Sequence, residues 1–576
     1  HYDQDKKIQN FVNMLFEFGV ILTTNRPTRV CRSSATAIDH VITNCVLNSE
    51  FKSSIIKVDI SDHFPIVFSF KLKEGLDSKN KDEYFYKRKF DDFSINTFKS
   101  ELKEANWEIL KSCNDPNDSY NKFFETFISI YDKCIPKTKI KVKQNKGSKP
   151  WITKGIIRSS KRKQKLYEKF LKNRTKENEQ TYKDYKHLFE TIRQRSKKLH
   201  YSRLLLKYKN DSRKTWKVMK ELIGKSSIEK SNLPKKIVEQ DNEIIEEKEI
   251  AKKFNYFFAN IGAQLADKIP SASRSFESYM KEYSIEMPFN KLTIIELRDA
   301  FFSLKANKSA GHDEVNFNAI KGCFEELCEP LLFLFNLSLH KGTFPDKLKI
   351  AKVTPIYKTG EKTELGNYRP ISVLPCFSKI LERIMHSRLM HFFTEQNILY
   401  NKQFGFQPVQ STDHAMVELV EQIYNSFNSD DYTIGVFIDL SKAFDTVDHK
   451  ILLKKLELYG VKGINLKWIS SYLTNRTQYI QINNSDKTDT QSIKCGVPQG
   501  SILGPLLFLA YVNDLQCASP VLDPIMFADD TNLFCSHKDL RCLFSKVNAE
   551  LININQWFIS NKLSHNVSKA KFTLFH

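Results

Sequence analysis

Short apolar runs bounded by turn residues predict strands in the last third of the chain. Residues 524–528 and 533–535 are two such runs, and the acidic pair Asp529–Asp530 follows the first of them. This order is typical of a hairpin whose tight turn carries both carboxylates. A third run, residues 434–438, ends directly on Asp439. The pattern therefore predicts strands that present acidic side chains at their ends.

Helical spacing dominates residues 151–224, where aromatic and leucine side chains recur among basic ones. The pattern predicts an amphipathic helical arm whose apolar stripe serves packing rather than base stacking. Further helices are predicted near residues 250–265 and 503–512. From residue 291 onward, helical patterns alternate with short strands and with glycine and proline punctuation.

Charge changes the interpretation of the helical arm. The 576-residue chain, long enough for three or four domains, has a net charge of +22. Residues 151–220 alone contain 23 Lys and Arg against 6 Asp and Glu, a net charge of +17. Such a concentration favours contact with nucleic acid through release of counterions from phosphates. The alternative is a solvated, helix-rich linker.

Cysteine usage and apolar runs exclude two classes of protein. The eleven cysteines are scattered and form no CxxC pair, which favours a reducing compartment and no structural zinc. The longest apolar run, residues 502–512, is interrupted by Gly504 and Pro505 and is too short to cross a bilayer. We find no signal peptide. A disulfide-rich secreted scaffold and an integral membrane protein are thus disfavoured.

The three strand-end acids suggest a chemistry. Carboxylates beside apolar strands are costly unless they are paired or hold a cation. A hard divalent ion such as Mg²⁺ removes the repulsion among converging carboxylates, and two such ions can clamp the oxygens of a phosphoryl transfer. An Asp-Asp pair in a turn is, by itself, also ordinary turn chemistry. The ordered set of motifs around the acids carries the interpretation of a nucleotide-polymerase centre.

Four motifs surround these acids: residues 308–314, a polar loop before a helix; residues 355–358 and 367–372, which together form a hairpin-like unit; residues 437–445, which carry Asp439; and residues 496–501, a loop before an apolar helix. Their order and spacing resemble the reverse transcriptase of a non-long-terminal-repeat retrotransposon, of the jockey type within the long interspersed elements. The resemblance spans residues 291–576.

This resemblance implies an α+β fold, with a right-hand polymerase palm and fingers and an antiparallel palm sheet. It implies an RNA-directed DNA polymerase that uses two Mg²⁺ (or Mn²⁺) held by Asp439, Asp529 and Asp530. The implied partners are an RNA template, a DNA primer or target DNA, and dNTPs, with no membrane. The implied location is cytoplasmic and nuclear.

The resemblance also assigns the nucleotide-binding residues. Lys358 and Arg369 would hold the triphosphate, and the Arg fork suits phosphate oxygens. Phe444 would exclude a ribose 2′-hydroxyl, unless it is only a core aromatic. Gln499 and Gly500 would contact the incoming nucleotide and the template.

Residues 561–569 resemble the motif that closes the palm, and Lys569 would be a possible general acid toward pyrophosphate. The chain stops soon afterwards, so we expect the thumb to be missing. That expectation puts processive synthesis in doubt.

A second resemblance lies at the amino end. Residues 34–42 and 61–66 look like the last two motifs of an endonuclease/exonuclease/phosphatase-type nuclease. By this resemblance His63 would contact the scissile phosphate, Asp39 would orient its ring, and Asp62 would lie near the metal. We expect a truncated α/β-sandwich remnant that is inactive, because the family's other metal ligands would precede His1.

The expected organisation has five segments: residues 1–72 are the nuclease remnant, 73–150 a linker carrying one or two helices, 151–224 the basic helical arm, 225–290 a connector, and 291–576 the fingers and palm. Two alternatives stay open. One is another palm polymerase, a maturase or an RNA-directed RNA polymerase. The other is a catalytically decayed retrotransposon protein that only binds nucleic acid.

Overall fold

The computed structural model describes the chain in nine stretches: residues 6–44, 51–70, 84–88, 90–141, 149–224, 233–239, 242–305, 309–482 and 486–576. The chain divides into two compact units. The smaller unit comprises residues 1–84 and 141–228, and the larger unit comprises residues 85–140 and 229–576.

Most helices begin at a residue whose side chain accepts a backbone N–H, as Thr153 and Thr175 do. In chain order the helices are α1 (Lys6–Glu17), α2 (Asp92–Glu104), α3 (Pro116–Cys134), α4 (Lys154–Lys172), α5 (Lys176–Lys207), α6 (Ser212–Leu222), α7 (Glu247–Ala266), α8 (Ile294–Ser303), α9 (Phe317–Ile320), α10 (Phe324–Lys341), α11 (Cys376–Glu395), α12 (Thr412–Asn428), α13 (His449–Leu458), α14 (Gly463–Leu473), α15 (Gly504–Val512) and α16 (Leu540–Ser560).

The strands are short and separated by turns. In chain order they are β1 (Ile21–Leu22), β2 (Arg29–Val30), β3 (Ala35–Thr36), β4 (Ile42–Thr43), β5 (Phe51–Ile55), β6 (Ile66–Phe70), β7 (Tyr84–Arg88), β8 (Lys137–Lys141), β9 (Ile237–Glu239), β10 (Asn242–Ile244), β11 (Ile350–Tyr357), β12 (Tyr368–Val373), β13 (Tyr432–Ile438), β14 (Arg476–Ile480), β15 (Gln491–Ile493), β16 (Asp523–Phe527), β17 (Asp530–His537) and β18 (Lys571–Phe575).

The smaller unit combines two-stranded sheets with the helices of the basic segment. Strands β5 and β6 pair antiparallel, as do β1 with β4 and β2 with β3. The buried rings of Tyr167, Phe170 and Tyr182, from α4 and α5, pack together with Phe64. The apolar stripe of the basic segment is thus a packing surface, as its helical spacing predicts.

The larger unit has a helical core into which α2 and α3 are built. On α3, Phe123, Phe127 and Tyr131 recur every four residues and form one buried stripe. Phe377 of α11 meets Phe127 edge-on, with ring centroids 5.2 Å apart. Residues 90–140, within the segment predicted to be a linker, therefore belong to a core, because this aromatic stripe needs a partner surface.

Two four-stranded sheets position the candidate site residues of the larger unit. The palm sheet has the strand order β16-β17-β13-β18 and is antiparallel throughout, with β18 at one edge. Strands β13, β16 and β17 lie where the apolar runs predict strands, whereas no such run predicts β18. The second sheet has the order β12-β11-β14-β15, and its β11–β12 hairpin is antiparallel. Helix α12 lies against β13 and β16, and α16 lies against β13 and β17.

Among the described residues, no helix combines the length and the apolar character needed to cross a membrane.

Candidate active site

The predicted acids lie together at one end of the palm sheet. Ile438 of β13 pairs with Thr531 of β17, so Asp439 and Asp530 are the next residues beyond this pair. The turn that joins β16 to β17 contains Ala528, in the left-handed region with φ +59°, and Asp529. A non-glycine residue with positive φ is strained, which indicates that surrounding contacts hold this turn.

Negative charge accumulates at this end of the sheet. Partial burial and the charges of Asp529 and Asp439 raise the pKa of Asp530. Lys569 compensates part of the charge, with its Nζ 2.9 Å from Oδ2 of Asp439. Lys569 is brought there by a backbone hydrogen bond of 2.8 Å from Asn566 N–H to the Asp439 carbonyl.

The donor set fits a divalent cation, although it is not arranged as a ready metal cage. Among the described residues, no three His, Cys, Asp or Glu side chains are grouped closely enough to hold an ion. The raised pKa of Asp530 nevertheless records carboxylates that repel one another, and hard cations prefer carboxylate oxygens.

A cavity of about 830 Å³ gathers most of the predicted site residues. Its lining includes two of the acids, four cations and three further residues: Asp439, Asp529, Lys358, Arg369, Lys442, Lys569, Phe444, Gln499 and Gly500, among which are all five predicted nucleotide-binding residues. Asp530 lines a neighbouring cavity of about 340 Å³, together with Asp439 and Lys569. The arrangement offers an anionic ligand several cations beside the acids.

The β11–β12 hairpin presents two of the cations, and Lys442 ties it to the palm. Lys358 N–H donates to the Asn367 carbonyl at 2.9 Å, which closes the hairpin. Lys442, with φ +51°, donates through Nζ to the carbonyls of Gly366 and Tyr368 at 2.8 and 3.2 Å. Burial, assisted by the neighbouring cations of the cavity, lowers the pKa of Lys442.

Phe444 forms a rigid wall of the cavity. Its ring stacks on Phe508, with centroids 4.7 Å apart and planes 23° apart, and the ring of Phe406 meets it edge-on at 5.9 Å. Because two aromatic neighbours restrain the ring of Phe444, the ring can sterically exclude chemical groups from the adjacent part of the cavity. Phe444 can therefore pack against its neighbours and also act as a steric gate.

The loop bearing Gln499 and Gly500 is locked between β12 and a buried acid. Nε2 of Gln499 donates to both carboxylate oxygens of Asp445, at 2.9 and 3.0 Å. The Gln499 carbonyl accepts from Ser372 N–H at 2.7 Å. Gly500 has φ +112°, and a Cβ there would lie 2.7 Å from the Ser372 carbonyl oxygen. The side-chain amide of Gln499 thus donates its hydrogen bonds to Asp445, a contact that the sequence did not predict.

Asp445 behaves unlike its neighbour Asp448. Burial of its carboxyl group raises the pKa of Asp445 to about 6, although the residue as a whole keeps some exposed surface. Asp448 instead caps α13, where it accepts from the N–H groups of Lys450 and Ile451. Asp448 thus acts as a helix cap, whereas the carboxylate of Asp445 binds the side chain of Gln499.

Gln403 is a further residue that sequence reasoning missed. Its buried side chain accepts, through Oε1, the N–H groups of Ala528 and Gly405, both at 2.9 Å. No local pattern could reveal this contact, because the partners are 125 residues apart.

The predicted nuclease residues lie together in the smaller unit. Nδ1 of His63 is 2.8 Å from Oδ2 of Asp39, and Asp62 pairs with Arg29 at 3.1 Å. Hydrogen bonds from Thr28 and then His63 lower the pKa of Asp39. An imidazole held by a carboxylate in this way has a fixed tautomer and orientation.

Comparison with known proteins finds relatives of part of the larger unit. Residues 356–574 match the family described as reverse transcriptase (RNA-dependent DNA polymerase). The chain is 28% identical over 314 residues to the RNA-directed DNA polymerase from mobile element jockey of Drosophila melanogaster, covering 53% of this chain and 34% of that protein.

A second relative, the probable RNA-directed DNA polymerase from transposon BS of Drosophila melanogaster, is 33% identical over 276 residues. That match covers 46% of this chain and 30% of the relative. The matched part of the chain thus spans about a third of the length of these relatives. The matched domain contains every residue of the predicted polymerase site, so this part of the chain is similar to reverse transcriptases and to the polymerases of mobile elements such as jockey.

Proposed function

We propose that this chain catalyses RNA-directed DNA synthesis by transferring nucleotides from dNTPs to a primer 3′-hydroxyl. The observation that carries the proposal is the cavity in which Asp439 and Asp529 face four cations and the ring of Phe444. A dNTP combines a polyanionic triphosphate with a deoxyribose, and the cavity has complementary groups for both. The similarity of residues 356–574 to reverse transcriptases supports the same reaction.

The side chains divide the work. Lys358 and Arg369 bind triphosphate oxygens from the hairpin, and charge-assisted hydrogen bonds suit that task. Phe444 lies against the sugar and excludes a 2′-hydroxyl. Gln499, oriented by Asp445, and Gly500 border the place of the base pair. Lys569 holds a proton at Nζ that it can give to the leaving pyrophosphate.

Asp439, Asp529 and Asp530 would hold two Mg²⁺ (or Mn²⁺), which supply a lowered pKa at the attacking hydroxyl and charge neutralisation at the leaving group. Before an ion enters, Lys569 neutralises Asp439 and so limits repulsion among the acids. An RNA template, a DNA primer and dNTPs are the substrates of this proposal, and a cytoplasmic and nuclear location follows from it.

Primer extension on an RNA template tests the proposal. Asp439→Asn and Asp529→Asn should abolish extension, because each removes a carboxylate while keeping the shape of the side chain. Asp430→Asn is the matched control: Asp430 is exposed in a turn with φ +57°, which Asn tolerates. Extension in wild type and control, with none in the two site variants, is the expected result.

Three outcomes would contradict the proposal. Extension that survives in both site variants would remove the acids from the chemistry. Equal primer–template binding by all proteins, with no synthesis by any, would favour the decayed nucleic-acid-binding protein. Synthesis that prefers NTPs to dNTPs would favour another palm polymerase.

We further infer that residues 1–72, within the smaller unit, derive from an endonuclease/exonuclease/phosphatase-type nuclease. The 2.8 Å contact between Asp39 and His63 supports this, since it aims a fixed imidazole at solvent-accessible space. Plasmid nicking in Mg²⁺, compared between wild type and His63→Ala, tests whether the pair acts on phosphodiesters.

A further inference from the structure

Helix α4 carries a stripe of cations along one face. The stripe consists of six exposed side chains: Lys154, Arg158, Lys161, Lys165, Lys169 and Lys172. They are spaced three or four residues apart, which places them within an arc of roughly 80° over a length of about 27 Å. We call these six residues the α4 basic stripe.

The stripe is not neutralised locally. Within the described part of the chain, none of its side chains forms an ion pair, whereas Lys163 on the same helix lies 2.9 Å from Oδ2 of Asp59. Glu168, the acid of α4, lies beside the stripe and accepts a hydrogen bond from Gln164. Uncompensated like charges repel one another, so the stripe favours a polyanion.

The opposite face of α4 indicates which polyanion. Ile156, Tyr167 and Phe170 are buried, so the helix has no spare apolar face to insert into a lipid surface. A row of cations about 5.4 Å apart along the helix suits a regular row of phosphates. We propose that the α4 basic stripe binds the phosphodiester backbone of a nucleic acid, as a contact separate from the polymerase cavity.

A matched pair of triple variants tests this interaction in the full chain. The stripe variant is Lys161→Gln with Lys165→Gln and Lys169→Gln. The control is Lys183→Gln with Arg193→Gln and Lys214→Gln. It changes net charge equally, but each of its cations pairs with an acid three or four residues away. Binding to single-stranded RNA and to duplex DNA is measured by fluorescence anisotropy over a range of salt concentrations, without dNTPs.

The stripe variant should lower the slope of log K against log salt. The expected decrease is about 2 for a single strand and about 3 for a duplex, and a decrease that is confined to one of the two substrates identifies the partner class. The control should keep the wild-type slope. Equal losses in both variants, or none in either, would overturn the proposal. Binding to anionic vesicles that the stripe variant alone loses, with nucleic-acid binding unchanged, would overturn it in favour of a membrane surface.

A second inference comes from the turn that carries Asp529. Gln403 accepts the Ala528 N–H, and Phe404 N–H donates to the Met526 carbonyl at 2.8 Å. The adjacent Gly405 has no room for a side chain, because a Cβ would lie 2.2 Å from the Ala528 nitrogen. Residues 402–405 thus form hydrogen bonds and close contacts with both the end of β16 and the strained turn.

We infer that Gln403 is a positioning residue that fixes the Asp529 carboxylate through the Ala528 backbone. This inference rests on the proposed function, since it concerns the acids of the same site. Without the Oε1 acceptor, the left-handed conformation at Ala528 has no side-chain partner and Asp529 samples other directions. The Mg²⁺ concentration needed for activity then increases, whereas the surfaces that bind primer and template are unchanged.

Three variants test the positioning role. Gln403→Met keeps the length of the side chain and removes the acceptor, whereas Gln403→Glu keeps the acceptor. Gln407→Met is the control, because Gln407 donates to the Gln403 carbonyl at 2.7 Å but does not contact Ala528. The readouts are kcat, the Mg²⁺ concentration for half-maximal extension, primer–template affinity, and hydrogen exchange of the Ala528 amide.

Gln403→Met should lower kcat by about tenfold or more, raise the Mg²⁺ requirement and speed exchange at Ala528, with primer–template affinity unchanged. Gln403→Glu should recover most of the activity, and Gln407→Met should resemble wild type. Faster exchange at Ala528 with wild-type kcat and Mg²⁺ requirement would overturn the inference. If wild type makes no product, the proposed function fails, and the exchange rate still reports whether Gln403 holds the turn.

Discussion

Phe444 combines packing with a boundary of the cavity. Phe444→Ala should therefore raise incorporation of ribonucleotides relative to deoxyribonucleotides by roughly tenfold or more, because the 2′-hydroxyl then has space. Competition between dNTP and NTP in primer extension measures the ratio. Phe406→Ala is the control, since it removes a ring that also touches Phe444 while leaving that ring on Phe508. An unchanged ratio in Phe444→Ala would leave the ring with a packing role alone.

Asp445 gives a prediction about pH. Its folded-state pKa of about 6 lies above the usual 3.8, so ionisation destabilises the fold above pH 6 and costs nothing below 3.8. Asp445→Asn should thus gain stability relative to wild type as the pH rises through this window, by at most ~3 kcal/mol. Urea unfolding at several pH values measures the difference. A difference that stays constant with pH would contradict the assigned cause.

Individual residues also show what a single sequence can and cannot predict. Asp439 and the pair Asp529–Asp530 follow apolar runs directly, so local pattern places them at strand ends. Gln403, Lys442 and Asp445 gain their roles from partners that lie 54 or more residues away. The residues beside them in the sequence do not indicate these distant partners, so the contacts can be seen only in the folded chain.

At the scale of elements, the β11–β12 hairpin depends on its attachment to the palm. Lys442→Met removes the two hydrogen bonds to the hairpin backbone, so Lys358 and Arg369 lose their fixed distance from the acids. We expect the KM for dNTP to rise by roughly tenfold, the size of one lost charged hydrogen bond, with a smaller change in kcat. Steady-state primer extension measures both.

Lys362→Met is the control for the hairpin, because Lys362 lies over the ring of Tyr357 on the same hairpin. It should leave the KM unchanged. A fall in kcat without any change in KM in Lys442→Met would place Lys442 in the chemical step instead.

Asp59 joins a strand-bearing segment to the helical hairpin of the smaller unit. Burial disfavours its charge, but hydrogen bonds from Lys186, Tyr182 and Lys163 outweigh this and lower its pKa. Asp59→Ala leaves two lysines facing each other and should lower the free energy of unfolding of this unit by about 3 kcal/mol at neutral pH. The difference should shrink below pH 3.8, where protonation removes the same interaction in wild type.

The control for Asp59 is Asp62→Ala. Asp62 and Arg29 are both more than half exposed, so their ion pair should contribute less than about 1 kcal/mol. Urea unfolding followed by far-UV circular dichroism measures both variants. Equal losses in the two variants would contradict the importance of the buried site.

Helices and strands could be predicted where their sequence pattern is local. Which of them belong to a hydrophobic core could not be predicted. The stripe of Phe123, Phe127 and Tyr131 predicts a helix over its own residues. The polar, Lys-rich composition of residues 73–150 and the turn residues at 114–118 instead suggest a linker. Only the packing of Phe127 on Phe377, 250 residues later, places the helix in the larger unit.

At the scale of the whole molecule, two units with separate cores should unfold separately. Calorimetry of the full chain should show two transitions, the larger one belonging to the unit with more than twice as many residues. Asp59→Ala should lower the smaller transition alone. A dNTP with Mg²⁺ should raise the larger one alone, because its ligands lie in that unit. A single transition that responds to both changes would show that the units unfold as one.

The edges of the palm sheet differ in their protection. Along β16, Gln403 bridges to Met526 and covers the edge, whereas β18 has no strand on its outer side among the described residues and carries Phe572 with 66% of its surface exposed. An open edge with an exposed ring is a template for strand addition by another chain. Solubility at high concentration should therefore depend on β18 as well as on net charge, and a lysine or proline on β18 should raise it.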